Sequence, residues 1–203
     1  MELLGRQSSH YTRVVRLLAH ELGVALPLRP IADLMSPDPA SYGGNPALKL
    51  PILRIGSEQV FGTLNICRCL AAQAGRSADV YWPELADSPL LMNAHELLAH
   101  AMAAQVDVVL HEVVMQRPAD AASSKRRDSL LGCLRWLDAN LEAVLAAVRS
   151  RPLSWFEPCL YALLAHLPFR NPVDLGGLRP LAAFEQAFSL RPSARATPYR
   201  FDA

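Results

Sequence analysis

The hydrophobic pattern of the chain changes near residue 80, and this change restricts the possible folds more than any other feature. Before it, short apolar runs alternate with helical patterns, which predicts the order strand, helix, strand, hairpin, helix. From Ser88 onward apolar residues recur only at three- and four-residue spacing, as expected for packed helices. We therefore expect an α/β domain over residues 1–76, a polar linker over 77–87 and an all-helical domain over 88–203.

Charge and composition exclude several classes of protein. Twenty basic and nineteen acidic residues give a net charge of +1, which predicts no nucleic-acid partner and no anionic membrane surface. No uninterrupted apolar run approaches the ~18 residues of a membrane span, so we expect no membrane partner. The first residues lack the pattern of a secretory signal, and four cysteines are ordinary for a reducing compartment, which predicts a cytoplasmic location.

Histidine and cysteine spacing predicts no metal site. His95 and His100 are five residues apart, so they lie on different faces of one helix and cannot share a zinc ion. Cys67 and Cys69 are two apart on a predicted helix and point to different sides, which excludes a chelate or redox pair.

Two segments could carry chemistry. Ser8 and Ser9 stand between the first strand and the first helix, where a hydroxyl is most often a helix cap. The amide donors and positive helix end at this point also favour an anion, and a thiolate is an anion. Leu50-Pro51 directly precedes a strand, and base rates alone predict a trans peptide bond there.

Taken in order, these segments resemble the glutathione S-transferase superfamily over essentially the whole chain. The resemblance rests on the Ser8-Ser9 loop, on residues 45–53 (Asn-Pro-Ala-Leu-Lys-Leu-Pro-Ile-Leu), on residues 61–66 and on the closing segment 191–197. It implies a thioredoxin-like N-terminal domain followed by a helical bundle domain, and a cis bond at Pro51. Ser9 stands four residues before Arg13, the commoner spacing, whereas Ser8 fits the zeta-like maleylacetoacetate isomerase branch.

The resemblance implies glutathione as co-substrate and a role for each matching residue. The Leu50 backbone would pair with the cysteinyl part of glutathione, next to Lys49 and Pro51. Thr63 would bind the γ-glutamyl carboxylate through its hydroxyl and amide. Ser9, or else Ser8, would donate a hydrogen bond to the sulfur. The following residues would line the pocket for the electrophile: Tyr11, Met102, Gln105 and Val109.

Gly62 departs from the pattern, because the family carries an acidic or amide side chain there to hold the γ-glutamyl ammonium. If only that side chain is missing, Gly62→Glu should tighten glutathione binding, whereas a positive φ at Gly62 would make the substitution destabilise the fold. A third alternative is that a neighbouring carboxylate, from this chain or a partner subunit, already fills the role.

The resulting hypothesis is a detoxifying glutathione transferase that acts on a small apolar electrophile. The alternatives are a non-catalytic interaction module of the same fold and a glutathione-dependent cis–trans isomerase. Apolar residues around Leu64, Met92 and Leu98 predict a two-fold homodimer.

Overall fold

The computed structural model describes residues 1–31, 33–170 and 175–202, and the chain divides into two compact units. The first unit comprises Met1–Val80 together with the segment from Arg191 onward, and the second comprises Tyr81–Leu190. The strands are β1 (Glu2–Gly5), β2 (Leu28–Pro30), β3 (Ile52–Ile55), β4 (Glu58–Phe61), β5 (Val80–Tyr81) and β6 (Leu153–Ser154). The helices are α1 (His10–Glu21), α2 (Thr63–Gln73), α3 (Pro89–Val108), α4 (Ala121–Val148), α5 (Phe156–Arg170), α6 (Arg179–Ser189) and α7 (Pro192–Ala196).

A four-stranded sheet forms the centre of the first unit, in the order β2-β1-β3-β4. Strand β1 is parallel to β2 and antiparallel to β3, and β3 and β4 form the predicted hairpin. Leu3, Ile52 and Leu53 have no exposed surface, and α1 and α2 contribute further fully buried apolar side chains such as Val14 and Ile66. The predicted start of α2 at Thr63 and its end at Gln73 agree with the structure.

The second strand begins later than the sequence pattern predicts. We expect a strand over 24–28, whereas β2 is Leu28–Pro30. The reason is the end of α1, where the Val24 amide donates to the Ala19 carbonyl (2.8 Å) and the Gly23 amide to His20 (3.1 Å). These bonds satisfy the last helical carbonyls, so the chain first pairs with β1 at Leu28.

The domain boundaries also differ from the expected 1–76, 77–87 and 88–203. The expected linker contains two short 3₁₀ turns and β5, and the segment from Arg191 onward returns to the first unit. This C-terminal segment packs on α1: the Arg13 guanidinium donates to the Ala194 carbonyl (3.4 Å) and lies 4.2 Å from the centre of the Tyr199 ring. The Ser193 hydroxyl donates to the Glu21 carboxylate.

The second unit is a bundle in which α3 packs along α4 and α5 is buried on most of its surface. A capping interaction begins α5, since the Glu157 amide donates to Ser154 Oγ (3.2 Å). We expect α3 to continue to Pro118, but the α-helix ends at Val108 and a π-helical segment follows over Val109–Val114.

The segment Pro89–Val114 is long and apolar enough to cross a membrane by length and composition alone. The sequence prediction did not identify it, because it considered only uninterrupted apolar runs. Core helices of globular proteins pass the same test. Here the residues buried at helical spacing indicate packing within the bundle: Leu91, Ala94, Leu98, Ala101, Met102, Gln105 and Val108.

Candidate functional site

Three chain segments meet at one end of the sheet of the first unit. Leu4 pairs with Ile52, and Ile52 pairs with Phe61, so these residues form one row across β1, β3 and β4. Neighbouring strands lie about 4.8 Å apart. The loop after β1, the Leu50-Pro51 bond before β3 and the Gly62-Thr63 step after β4 therefore all lie beside this row. We call this region the loop end of the sheet.

The loop between β1 and α1 is held by hydrogen bonds along its length. The Arg6 amide donates to Thr12 Oγ1 (3.3 Å), the Ser9 amide to the Arg6 carbonyl (3.1 Å), and the Ile31 amide to the Gly5 carbonyl (3.0 Å). Thr12 is fully buried, and a Cβ on Gly5 would stand 2.6 Å from its Oγ1. The close approach of Thr12 therefore requires glycine at position 5.

Ser9 is the N-cap of α1. Its Oγ accepts the Thr12 amide (3.3 Å), and its backbone is extended, with φ −92° and ψ 126°. A capping hydroxyl accepts through oxygen and still has its hydrogen to donate, so capping and thiolate stabilisation are compatible. The first turn of α1 contains no acidic residue of its own.

Two other predicted residues lie near Ser9 in the chain. Ser8 is half-buried in the turn that precedes the helix. Tyr11 is half-buried in the first turn of α1, and its ring centre is 4.4 Å from that of His10.

Asn45 organises the segment before β3. It is 4 % exposed, its Nδ2 donates to the Lys49 carbonyl (2.8 Å), and its Oδ1 accepts the Ala47 amide (3.0 Å). The Asn45 carbonyl also accepts the Leu48 amide (3.1 Å). This residue is a positioning group that the site prediction missed, although the Asn-Pro turn signal was visible in the sequence.

The bond between Leu50 and Pro51 is cis, as the resemblance implies and contrary to the base-rate prediction. The Leu50 side chain packs on the cluster formed by Leu4, Tyr42 and Ile52, whereas the Lys49 side chain is exposed. The Leu50 backbone thus follows the segment that Asn45 fixes and directly precedes the loop end of the sheet.

Gly62 is the N-cap of α2 and has φ +85° and ψ 130°, a backbone conformation that residues other than glycine rarely adopt. This backbone conformation explains the glycine. Of the two expectations for Gly62→Glu, the positive φ favours a destabilised fold over a simply restored side chain.

The N-terminus of α2 has donors but no cap. Gly62 provides no side-chain hydrogen bond, and the first helical bond runs from the Ile66 amide to the Gly62 carbonyl (2.9 Å). The half-buried Thr63 begins the helix, and no acidic residue lies in its first turn. Amides of an uncapped helix end and an adjacent hydroxyl can bind a carboxylate.

The expected pocket residues of the helical unit are buried. Met102, Gln105 and Val109 are 3 %, 0 % and 6 % exposed, and Gln105 Nε2 lies 3.2 Å from Nδ1 of the buried His166. Gln105 is therefore an interior polar residue, and this burial contradicts its expected role in lining a pocket.

Among the residues that the structure describes, the thiols and histidines form no metal site, since no group of three or more His, Cys, Asp or Glu side chains could hold a metal ion. Burial raises the pKa of the Cys67 thiol, so it is a poor nucleophile. Burial lowers the pKa of His95 to about 4, whereas His100 is exposed and pairs with Glu96 (3.1 Å).

Comparison with known proteins agrees with this geometry. Residues 3–78 match the family model of the glutathione S-transferase N-terminal domain. Among curated proteins, no sequence matches the chain significantly.

Solved structures extend the likeness to the second unit. A glutathione transferase family member from Pseudomonas fluorescens Pf-5, with bound glutathione, is 26 % identical, with a TM-score of 0.79 and 98 % of each chain covered. A glutathione S-transferase from Methylobacillus flagellatus KT, also with glutathione bound, is 22 % identical, with a TM-score of 0.76 over 98 % of this chain and 99 % of the other.

The chain thus has the glutathione S-transferase fold, with a thioredoxin-like unit followed by a helical unit, as predicted. The family model covers the first unit, and the solved structures are similar to the chain over both units.

Proposed function

We propose that the protein is a glutathione transferase that binds glutathione along the loop end of the sheet and directs its thiolate at a small apolar electrophile. The observation that carries this proposal is the convergence of three binding elements beside the row Leu4, Ile52 and Phe61. The bound glutathione in the structure of the 26 % identical Pseudomonas relative supports it.

Each element binds a different part of the tripeptide. The γ-glutamyl carboxylate accepts hydrogen bonds from the Thr63 amide and hydroxyl at the uncapped end of α2. The Leu50 backbone pairs with the cysteinyl residue, and the Ser9 hydroxyl donates to the sulfur. These groups follow one another across strands β4, β3 and β1, in the order γ-glutamyl carboxylate, cysteinyl backbone and cysteinyl sulfur.

Asn65 replaces the side chain that Gly62 lacks. Its Nδ2 donates to the Phe61 carbonyl (3.2 Å) and lies 3.7 Å from the position of a Cβ on Gly62. The Oδ1 of the same amide accepts the γ-glutamyl ammonium. Asn65→Ala is expected to weaken glutathione binding about ten- to a hundredfold, since a hydrogen bond to a charged group contributes about 1.5–3 kcal/mol.

Stabilising the thiolate raises the concentration of the nucleophile. A free thiol has a pKa of about 8.5, and a hydroxyl donor with a positive helix end lowers it. The thiol proton passes to solvent and the sulfur forms a bond to an electrophilic carbon. The electron pair of the broken bond leaves with the departing group.

Calorimetric titration of glutathione into the wild-type protein tests binding. Absence of binding refutes the proposal and favours a non-catalytic interaction module. Thr63→Val keeps the amide and the branched shape but removes the hydroxyl, and it is expected to weaken binding by about tenfold or more.

The two serines are separated by the pKa of bound glutathione, followed through thiolate absorbance against pH. Ser9→Ala is expected to raise this pKa with little change in affinity, and Ser8→Ala to have little effect. The reverse pattern would assign the role to Ser8 and favour the isomerase-like branch.

Assembly as a two-fold homodimer in the cytoplasm is part of the proposal. Of the three residues expected at the interface, Met92 is 55 % exposed and Leu64 is half-buried, but Leu98 is a core residue at 2 % exposure. Light scattering that gives the 22.3 kDa of one chain, rather than twice that mass, would contradict the dimer.

A further inference from the structure

The C-terminal segment brings a carboxylate to the loop before α1. The amide of Gln7 donates to both carboxylate oxygens of Asp202, at 3.0 and 3.2 Å, and Arg6 Nε lies 3.5 Å from Oδ2. The Asp202 side chain is only 4 % exposed. A carboxylate buried this deeply costs free energy unless it is paired, so the contact holds the loop and the segment together.

This contact completes the fixation of the loop. Two of the loop bonds described above join Arg6 to Thr12 and Ser9 to Arg6, and neither involves Gln7. The bond to Asp202 holds the middle residue, Gln7, two positions before Ser9.

The C-terminal segment is itself anchored, so Asp202 has a fixed position. The buried Arg13 of α1 lies over the Tyr199 ring and donates to Ala194, and Ser193 donates to Glu21 at the other end of the helix. Arg16 is a further cation with an electrostatic interaction with Asp202. The carboxylate therefore lies among basic groups and couples the position of the loop to that of the C-terminal segment.

We propose that Asp202 is a positioning residue for the glutathione thiolate: it fixes the Arg6–Ser9 loop and so the direction in which Ser9 presents its hydroxyl. This inference rests on the proposed glutathione transferase function. Donors that stabilise a developing or existing anion act only when held in place, so a loosened loop reduces the stabilisation without removing any contact to the tripeptide.

Three variants test the inference. Asp202→Ala removes the acceptor, Asp202→Asn keeps an oxygen that accepts the Gln7 amide but removes the charge, and Asp79→Ala is the matched control. Asp79 also pairs with an arginine of the first unit, with Arg76 Nε 2.7 Å from its Oδ2, but it lies beyond the far end of α2.

Asp202→Ala is expected to raise the pKa of bound glutathione, to lower kcat about tenfold and to leave the glutathione dissociation constant within about twofold. Asp202→Asn should retain most of the activity, and Asp79→Ala should match the wild type. Hydrogen exchange at the Gln7 amide should be at least about tenfold faster in Asp202→Ala, with or without glutathione.

Three results would overturn the inference. Asp202→Ala with wild-type thiol pKa and kcat would leave only a structural role. Asp202→Asn as impaired as Asp202→Ala would show that the charge, not the hydrogen bond to Gln7, is what matters. A lowered thiol pKa in both variants would mean that the carboxylate acts by electrostatic repulsion. Failure of the wild-type protein to bind glutathione would instead refute the proposed function.

Discussion

Replacing Gly62 by alanine should destabilise the first unit, because of backbone conformation and not because of crowding. A Cβ at this position would have Asn65 Nδ2 as its nearest neighbour, at 3.7 Å, which is ordinary contact. The φ of +85° with ψ of 130° is the unfavourable part, and such residues cost about 1–3 kcal/mol. Alanine also reduces the entropy of the unfolded chain, which offsets about 0.4–1 kcal/mol. The expected net loss is about 1–2 kcal/mol.

Gly132 supplies a control of opposite sign. It is exposed within α4, its φ is not in the left-handed region, and a Cβ there would meet no atom within 4 Å. Gly132→Ala should therefore stabilise by about 0.5–1 kcal/mol.

Urea unfolding with two probes measures both effects. The three tryptophans, Trp82, Trp136 and Trp155, all belong to the second unit, so their fluorescence follows that unit, while circular dichroism follows both. A Gly62→Ala protein as stable as the wild type would refute the argument from φ. So would a Gly62→Glu protein that binds glutathione more tightly at unchanged stability. Asparagine should not rescue position 62, because its tolerance is for a ψ near +45° and not 130°.

Three further predictions concern other parts of the molecule. Asn45→Ala should lower the free energy of unfolding by about 2–3 kcal/mol, because two side-chain hydrogen bonds of a buried amide are lost. A change below about 0.5 kcal/mol in urea unfolding would contradict the positioning role of Asn45. Gly5→Ala should destabilise by about 1–3 kcal/mol, and Thr12→Ala should recover part of that loss in a double-mutant cycle; additive effects would argue against the close approach. The pKa of His95 falls from 6.5 to about 4 on folding, so the unfolded chain takes up the proton first and stability is lost as the pH falls from 6.5 to 4; His95→Gln should flatten this part of a stability–pH curve, and an unchanged curve would contradict the assignment.

Local patterns predicted much of this fold. The β3–β4 hairpin and helix α2 follow from apolar alternation, Gly56-Ser57 and the apolar spacing after Thr63. Similarity to a family predicted the cis bond at Pro51, which local statistics predicted wrongly.

The remaining features depend on distant contacts or on backbone angles. The interaction of Asp202 with Gln7 spans 195 positions in sequence, and no periodicity encodes it. The start of β2 was misplaced because the Val24 amide closes α1 instead of pairing in the sheet. For Gly62 the sequence left a missing side chain and a positive φ as alternatives, and only the backbone angle of +85° distinguishes them.

The route of the chain has a consequence for the order in which its parts mature. The C-terminal segment that packs on α1 is synthesised after the entire helical unit, because residues 81–190 separate it from the sheet in the sequence. Domains generally fold as units during synthesis, N-terminal first. During synthesis, Arg13 and Glu21 of the first unit therefore lack their contacts to Tyr199 and Ser193 until the C-terminal segment has been made. The helical unit can thus fold before the first unit is complete.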